Sequence, residues 1–218
     1  MAEHYPFQLM PLPYAYNALE PYINEETLRL HHSGALKNYV DRLNAALGSY
    51  PMYHSWSLDR LISNNGALPG EIRQQVRAYA GGVLNHQNYF LSMSNDKSDV
   101  PIGKLAEVIQ KQFGSYETFQ QVWAENALQV FGSGWTFLVM DLRHESFGSF
   151  NILNLINQDI PVSSTWQTIL LIDMWEHAFF KQYNFDRKSY VEAWFHLINW
   201  ERAEQQYLIA LEKKPPQA

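Results

Sequence analysis

Residues 71–90, EIRQQVRAYAGGVLNHQNYF, have the clearest helical pattern of this chain. Their apolar and aromatic side chains recur at alternating spacings of four and three residues, which is typical of a helix with one packed face. This stripe consists of Ile72, Val76, Tyr79, Val83, His86 and Phe90. The pattern predicts a long helix from Glu71 to about Met93. His86 then lies at a core position, where hydrogen bonds to both ring nitrogens are the ordinary explanation for a buried imidazole.

A second long helix is predicted upstream of this one. From Thr27 to about Leu47, apolar residues again follow one helical stripe. Its members are Leu36, Val40, Leu43 and Leu47. The segment SNDKSDVPIG (94–103) then interrupts the helical pattern and predicts a domain boundary. We therefore expect an N-terminal long helical hairpin domain at residues 1–94 and a second domain at residues 95–218.

The second half of the chain mixes helical and strand patterns. Two helical segments, about 102–112 and 116–128, precede three apolar stretches that predict strands. These stretches are FGSGWTFLVMD (131–141), FNILNLI (150–156) and WQTILLI (166–172). Short connections between them indicate a small, mostly antiparallel sheet, and residues 187–212 predict one closing helix. The predicted fold class is α+β, a helical hairpin followed by a domain with a small antiparallel sheet and helices.

Composition excludes several functional classes. The net charge of −6 argues against nucleic-acid binding, which requires a basic surface. No apolar run approaches the roughly 18 residues of a membrane span, and the start of the chain lacks the pattern of an export signal, so a cytoplasmic protein is predicted. The chain contains no cysteine, so any bound metal must be held by histidine and carboxylate side chains.

The segment DMWEHAFF (173–180) can be explained either as a helix start or as part of a metal site. Asp173 and Glu176 have the spacing of a capping box at a helix start, but that explanation gives His177 no role. The adjacent pair His31 and His32 has its own ordinary explanation, a partly exposed helical turn. Three histidines and one aspartate at such positions would suit manganese, iron or zinc, if the separate segments converge.

Seven motifs, in order along the chain, resemble the iron/manganese superoxide dismutase family. They are LPYAYNALEPYI, HH with the following YV and LN, AGG with NH, FGSGW, NQD, DMWEHAFF and NW. The resemblance implies the two-domain fold predicted above and conversion of superoxide to dioxygen and hydrogen peroxide. It also implies one manganese ion per subunit, or iron as the alternative. The implied metal ligands are His31, His86, Asp173 and His177.

The resemblance implies roles for further residues. Tyr39 matches a tyrosine that gates the substrate channel, and Trp135 and Trp175 match the aromatic walls of the site. Gln158 matches a glutamine that hydrogen-bonds metal-bound solvent in manganese-type members, with the small residue Gly82 facing it. Glu176 matches an acid that reaches the metal-bound histidine of the other subunit, which implies a homodimer.

Several outer positions depart from the family pattern. A channel lysine is replaced by Gly34, a neighbouring histidine by Ala35, and a pair of tyrosines by Phe179 and Phe180. Asp186 occupies the position of a common arginine. Because superoxide is an anion and the chain is acidic, these losses predict weak electrostatic attraction, unless Lys37 or Arg187 supplies the missing charge.

Two alternatives to an efficient dismutase remain open from the sequence. A family-derived protein could bind metal or a partner and have little dismutase turnover. A zinc hydrolase is less compatible with the residues, because four protein ligands leave little room for substrate and no obvious base accompanies them.

Overall fold

The computed structural model describes residues 4–213, which form a helical N-terminal part and a C-terminal part built on one small sheet. The predicted α+β class is confirmed. The N-terminal part contains the helices α1 (Glu25–Arg29), α2 (Lys37–Leu47), α3 (Leu58–Ser63) and α4 (Gly70–Leu91). The helices α2 and α4 pack against each other as the predicted hairpin, and their apolar stripes form its buried seam.

The first helix of the hairpin has a widened middle. A π-helical segment, Leu30–Leu36, joins α1 to α2 without a break, so the predicted helix from Thr27 to Leu47 is continuous but not regular. His31, His32 and Leu36 of this segment are buried. Short π-helical segments occur frequently at functional sites, because the wider turn redirects side chains that a regular helix would place elsewhere.

The C-terminal part surrounds a three-stranded antiparallel sheet with helices. Its elements are α5 (Gly103–Phe113), α6 (Tyr116–Leu128), β1 (Gly134–Asp141), β2 (Phe150–Ile156), β3 (Trp166–Asp173), α7 (Glu176–Tyr183), α8 (Arg187–Phe195) and α9 (Trp200–Glu212). The strand order is β2-β1-β3, and the central strand β1 is buried along its whole length. Trp135 of β1 pairs with Asp173 at the end of β3.

The prediction of one closing helix at residues 187–212 was wrong. The helix α8 ends at Phe195 and α9 begins at Trp200, because the chain between them pairs with the end of α4. The Ser94 N–H donates to Leu197 O over 2.8 Å, and the Asn199 N–H donates to Ser92 O over 2.8 Å. These bonds tie the C-terminal helices to the hairpin.

None of the helices within residues 4–213 is both long enough and apolar enough to cross a membrane. The buried apolar residues of the hairpin and of the sheet form one continuous core. The π-helical segment, α4, the end of β3 and α7 meet in this core, and the candidate site lies where they meet.

Candidate metal centre

Asp173 ends a strand and does not cap a helix. The helix α7 begins at Glu176, and its N-cap residue is Trp175, which makes no side-chain capping bond. The Oδ1 atom of Asp173 instead accepts a hydrogen bond from the Trp175 N–H over 2.7 Å. The capping-box interpretation of Asp173 and Glu176 was therefore wrong, and the second carboxylate oxygen of Asp173 points into the core.

Four side chains from separate segments converge around that oxygen. The Nε2 atoms of His31, His177 and His86 lie 3.0, 3.2 and 3.8 Å from Asp173 Oδ2. All four donor atoms lie within 4.8 Å of one another. His31, His86 and Asp173 are buried, while the His177 side chain remains 27% exposed. The structure therefore brings together the four predicted ligands, although nearly 150 residues of sequence separate the first from the last.

Hydrogen bonds fix the ring of His86 and the main chain of Asp173. The His86 Nδ1–H donates to Gly82 O over 2.6 Å, so the Nε2 atom carries the free lone pair and faces the cluster. The Tyr190 hydroxyl donates to the carbonyl oxygen of Asp173 over 2.9 Å, and the Tyr89 hydroxyl in turn donates to Tyr190. These two hydrogen bonds tie the end of β3 to α8 and α4.

The protonation states suit a metal site. Burial lowers the pKa of His31 to about 4, and it also lowers the pKa of His86 well below the ordinary histidine value. Burial would raise the pKa of Asp173, but the facing His177 and His31 outweigh it and hold that carboxyl pKa below its usual range. Near neutral pH His31 and His86 are therefore neutral and Asp173 is a carboxylate, the forms in which these groups bind metal.

The hydrogen bonding of His31 also indicates that the cluster can hold a metal ion. The buried His31 Nε2 atom has no hydrogen-bond partner among the described residues, although it lies close to Asp173. A buried polar atom without a partner is costly unless something satisfies it. A cation bound by all four donor atoms would satisfy His31 and neutralise the buried carboxylate. Three nitrogen donors and one oxygen donor suit manganese, iron or zinc.

Tyr39 and Gln158 form a hydrogen-bonded pair beside the cluster. The oxygen of Gln158 accepts from the Trp135 indole N–H over 3.1 Å and from the Asn85 amide over 3.4 Å. Its NH₂ group therefore faces Tyr39 and donates to the phenol oxygen over 3.0 Å. Burial raises the pKa of Tyr39, although the bond from Gln158 and the charge of Arg42 act in the opposite direction.

Two consecutive glycines of α4 make room for this pair. A Cβ atom on Gly82 would lie 2.5 Å from the ring of Tyr39, and one on Gly81 would lie 2.1 Å from Gln158 O. The expectation that Gly82 faces Gln158 was therefore wrong, because the Tyr39 ring occupies that space. Gly81 is the glycine in contact with Gln158, through the backbone.

Aromatic rings surround the cluster. Trp135 lies edge-on to His86, with ring centroids 5.1 Å apart, and Trp175 stacks on His177 at 5.6 Å. Phe90 lies 4.9 Å from His31. Tyr39, Trp175 and His177 retain partial exposure, so they mark the side from which a small molecule can approach.

The two phenylalanines that replace the family's tyrosines differ in exposure. Phe179 is buried against Tyr190, whereas Phe180 is 39% exposed and packs edge-on against Phe185. Glu176 is exposed and lines a shallow hollow together with Phe180 and Phe185.

Asp186, Arg187 and Lys37 each make contacts that were not predicted from the sequence. Asp186 is the N-cap of α8 and accepts bonds from the N–H and the hydroxyl of Ser189. The Arg187 guanidinium donates to Val130 O and Ala127 O, and Lys37 pairs with Asp41.

The expectation of a partly exposed turn at His31 and His32 was wrong, because both side chains are buried. His31 joins the cluster. His32 has a structural role instead, since its ring nitrogens contact the Tyr16 hydroxyl at 2.8 Å and Met10 O at 2.6 Å.

The residues that hydrogen-bond Gln158 and Asp173 were not predicted from the sequence. Asn85 directly precedes His86 on α4, and its adjacency to a candidate ligand was the one available signal. Tyr89 and Tyr190 had no such signal, because the bond between them and the bond from Tyr190 to Asp173 depend on how α4, α8 and β3 pack.

Two family models match this chain. The alpha-hairpin domain of iron/manganese superoxide dismutases matches residues 6–94, and the C-terminal domain of the same family matches residues 101–206. The chain is also 38% identical to the manganese superoxide dismutase of Thermus thermophilus over 92% of this chain and 97% of that protein. It is 37% identical to the corresponding Thermus aquaticus protein over 93% of this chain and 98% of the relative.

A third relative has a similar identity to this chain. Manganese superoxide dismutase 1 of Leptolyngbya boryana is 38% identical over 95% of this chain and 83% of that protein. With both family models matched, the chain belongs to the iron/manganese superoxide dismutase family. The resemblance predicted from the seven motifs is thereby confirmed.

Proposed function

We propose that this chain is a superoxide dismutase that holds one manganese ion per subunit. The observation that carries the proposal is the convergence of His31, His86, Asp173 and His177, with the Tyr39–Gln158 pair beside them. The proposed overall reaction consumes two superoxide ions and two protons and releases dioxygen and hydrogen peroxide. When bound, the metal supplies the one-electron chemistry, because it can alternate between trivalent and divalent states.

The residues of the chain then have separate roles in this proposal. The three imidazoles and the Asp173 carboxylate hold the ion, and the negative charge of the carboxylate offsets part of the charge of the ion. Tyr39 and Gln158 hold protons at the open side of the site, where the phenol O–H and the second N–H of the Gln158 amide remain available. Trp135 and Trp175 exclude bulk water and leave room for a small ion.

Manganese is the proposed metal and iron is the alternative. Gln158 approaches from the segment after β2, and its amide is oriented by Trp135 and Asn85. A hydrogen bond from such an amide to metal-bound solvent would influence the redox potential of the ion. The manganese names of the relatives support the same choice.

We also propose a homodimer in which Glu176 approaches His177 of a second copy. Three large apolar side chains on this face are exposed: Phe131 at 98%, Phe185 at 85% and Phe180 at 39%. Glu176 lies in the same hollow as the last two, and Gly132, next to Phe131, also lines it. An apolar face of this kind is typical of a protein–protein interface.

A metal-binding protein without efficient turnover is the second candidate, favoured by the loss of the usual residues at Gly34, Ala35 and Phe180. Metal content and superoxide decay, measured on one purified sample, separate the candidates. About one manganese or iron ion per chain with rapid decay supports the dismutase. Bound metal without decay supports the metal-binding protein. Bound zinc together with hydrolytic activity would support a zinc hydrolase.

The cytoplasmic location stays a prediction, which cell fractionation tests.

A further inference from the structure

The hairpin helices carry a series of paired contacts that leads from the metal centre to the surface. At the buried end, the rings of His31 and His86 lie 4.9 Å apart. One step outward, the Tyr39 ring lies against Gly82. The next pair in the series is Arg42 on α2 and Tyr79 on α4, whose side-chain atoms Nη1 and Oη are 3.5 Å apart. Exposure increases along this series, from the buried His86 through Tyr39 to the exposed Arg42.

Arg42 is held in a defined position. Its Nε–H donates to Asn38 Oδ1 over 3.0 Å, and its guanidinium carbon lies 5.9 Å from the centre of the Tyr79 ring. No carboxylate among residues 4–213 lies within ion-pair distance of Arg42, so its charge is not neutralised locally. Its charge lowers the pKa of the Tyr39 phenol, in opposition to the larger effect of burial.

The other cations considered from the sequence do not have this placement. At about 100° per residue, Arg42 lies about 60° around α2 from Tyr39, whereas Lys37 lies about 160° from it. Lys37 is also paired with Asp41, and the Arg187 guanidinium donates to backbone carbonyls at the end of α6. Of these three cations, Arg42 is the one that lies on the same side of α2 as Tyr39, has a hydrogen-bonded orientation and has no acidic partner among residues 4–213.

We propose that Arg42 attracts superoxide to the open side of the metal centre and takes the place of the channel cations that this chain lacks. The inference rests on the proposed dismutase function. A positive charge near a narrow entrance raises the local concentration of a small anion, and salt screens the effect. With this charge, the attraction is stronger than the losses at Gly34 and Asp186 alone predict.

The test removes the positive charge of Arg42 with Arg42→Gln. The control is Lys37→Gln, which also removes one positive charge but from the opposite side of α2. Arg42→Lys retains the charge. Superoxide decay is followed on metal-loaded proteins of equal metal content, from about 0.01 M to about 1 M salt, as the Debye length falls from about 30 Å to about 3 Å. Azide affinity, measured by absorbance over the same salt series, reports anion attraction independently of turnover.

We expect Arg42→Gln to slow the second-order reaction about two- to fourfold at low salt and to match the wild type at high salt. Azide binding should weaken in parallel, while Lys37→Gln and Arg42→Lys stay close to the wild type. Equal effects of Arg42→Gln and Lys37→Gln, an unchanged rate, or a loss that salt does not remove would each overturn the role of Arg42. If the wild-type protein holds metal without turnover, the proposed function fails, and the azide series alone decides the inference.

Discussion

His86 illustrates what a single residue can and cannot reveal from the sequence. Its place in a buried helical stripe permits either a hydrogen-bonded core histidine or a metal ligand. In the structure, the Nδ1–H has a backbone partner while Nε2 faces His177 Nε2 at 3.3 Å and Asp173 Oδ2 at 3.8 Å. A ring with one nitrogen anchored to the backbone and the other directed at further candidate ligands is what a metal site requires.

His86→Ala should therefore abolish stoichiometric metal binding and superoxide turnover together. The matched control is His54→Ala, since His54 also contacts a backbone carbonyl, Leu47 O, but lies outside the cluster. Metal analysis and superoxide decay measure the result, and circular dichroism confirms that both variants are folded. Full metal content in folded His86→Ala would remove His86 from the ligand set.

Gly82→Ala should displace the Tyr39 ring. The added methyl group would lie 2.5 Å from a ring atom, so we expect a loss of about 1–3 kcal/mol in the free energy of unfolding. The control is Gly34→Ala, where a Cβ meets nothing within 4 Å. There the smaller conformational entropy of the unfolded chain should give a gain of about 0.5–1 kcal/mol. Denaturant unfolding measures both, and equal stability of the two variants would contradict this account of the helix contact.

The sequence predicted the four converging residues through a family resemblance, and it did not predict what supports them. His31 and His177 lie on elements far apart in the chain, so their spacing could not show that they meet. The contacts of Tyr190 with Asp173 and of Gly81 with Gln158 arise only when helices and sheet have packed.

At the scale of elements, the periodic segments were predictable and their interruptions were not. The helix α4 differs from its prediction by one or two residues, because its stripe is long and regular. The break between α8 and α9 follows from hydrogen bonds with the end of α4, which no local pattern records. The π-helical segment at Leu30–Leu36 likewise retains an apolar pattern compatible with a regular helix.

The negative charge of Asp186 has a structural role at the start of α8. Because it caps α8, Asp186→Ala should lower the free energy of unfolding by about 1 kcal/mol. Asp186→Asn should retain the cap, since asparagine caps equally well, and should raise the low-salt rate of superoxide decay by removing a negative charge. Denaturant unfolding and a salt series measure the two effects. Equal stability losses in both variants would contradict the capping role.

At the scale of the whole molecule, the exposed phenylalanines predict a dimer. Phe131→Asp places a charge on a residue that is 98% exposed in the isolated chain, so folding should be unaffected while association weakens. Met52→Asp is the control, since Met52 is 67% exposed and lies in the connection after α2. Sedimentation velocity should show a dimeric wild type and control and a largely monomeric Phe131→Asp. A dimer that survives Phe131→Asp would place the interface elsewhere.

We propose that this acidic chain is a manganese superoxide dismutase. The most direct test of this proposal reconstitutes the metal-free protein separately with manganese and with iron and follows superoxide decay by stopped-flow absorbance at matched metal content. We predict rapid decay with about one manganese ion per chain and slower decay with iron, because the oriented Gln158 amide favours the manganese form. Activity with iron alone would contradict the choice of metal, and full loading with either metal but no decay would contradict the claim itself.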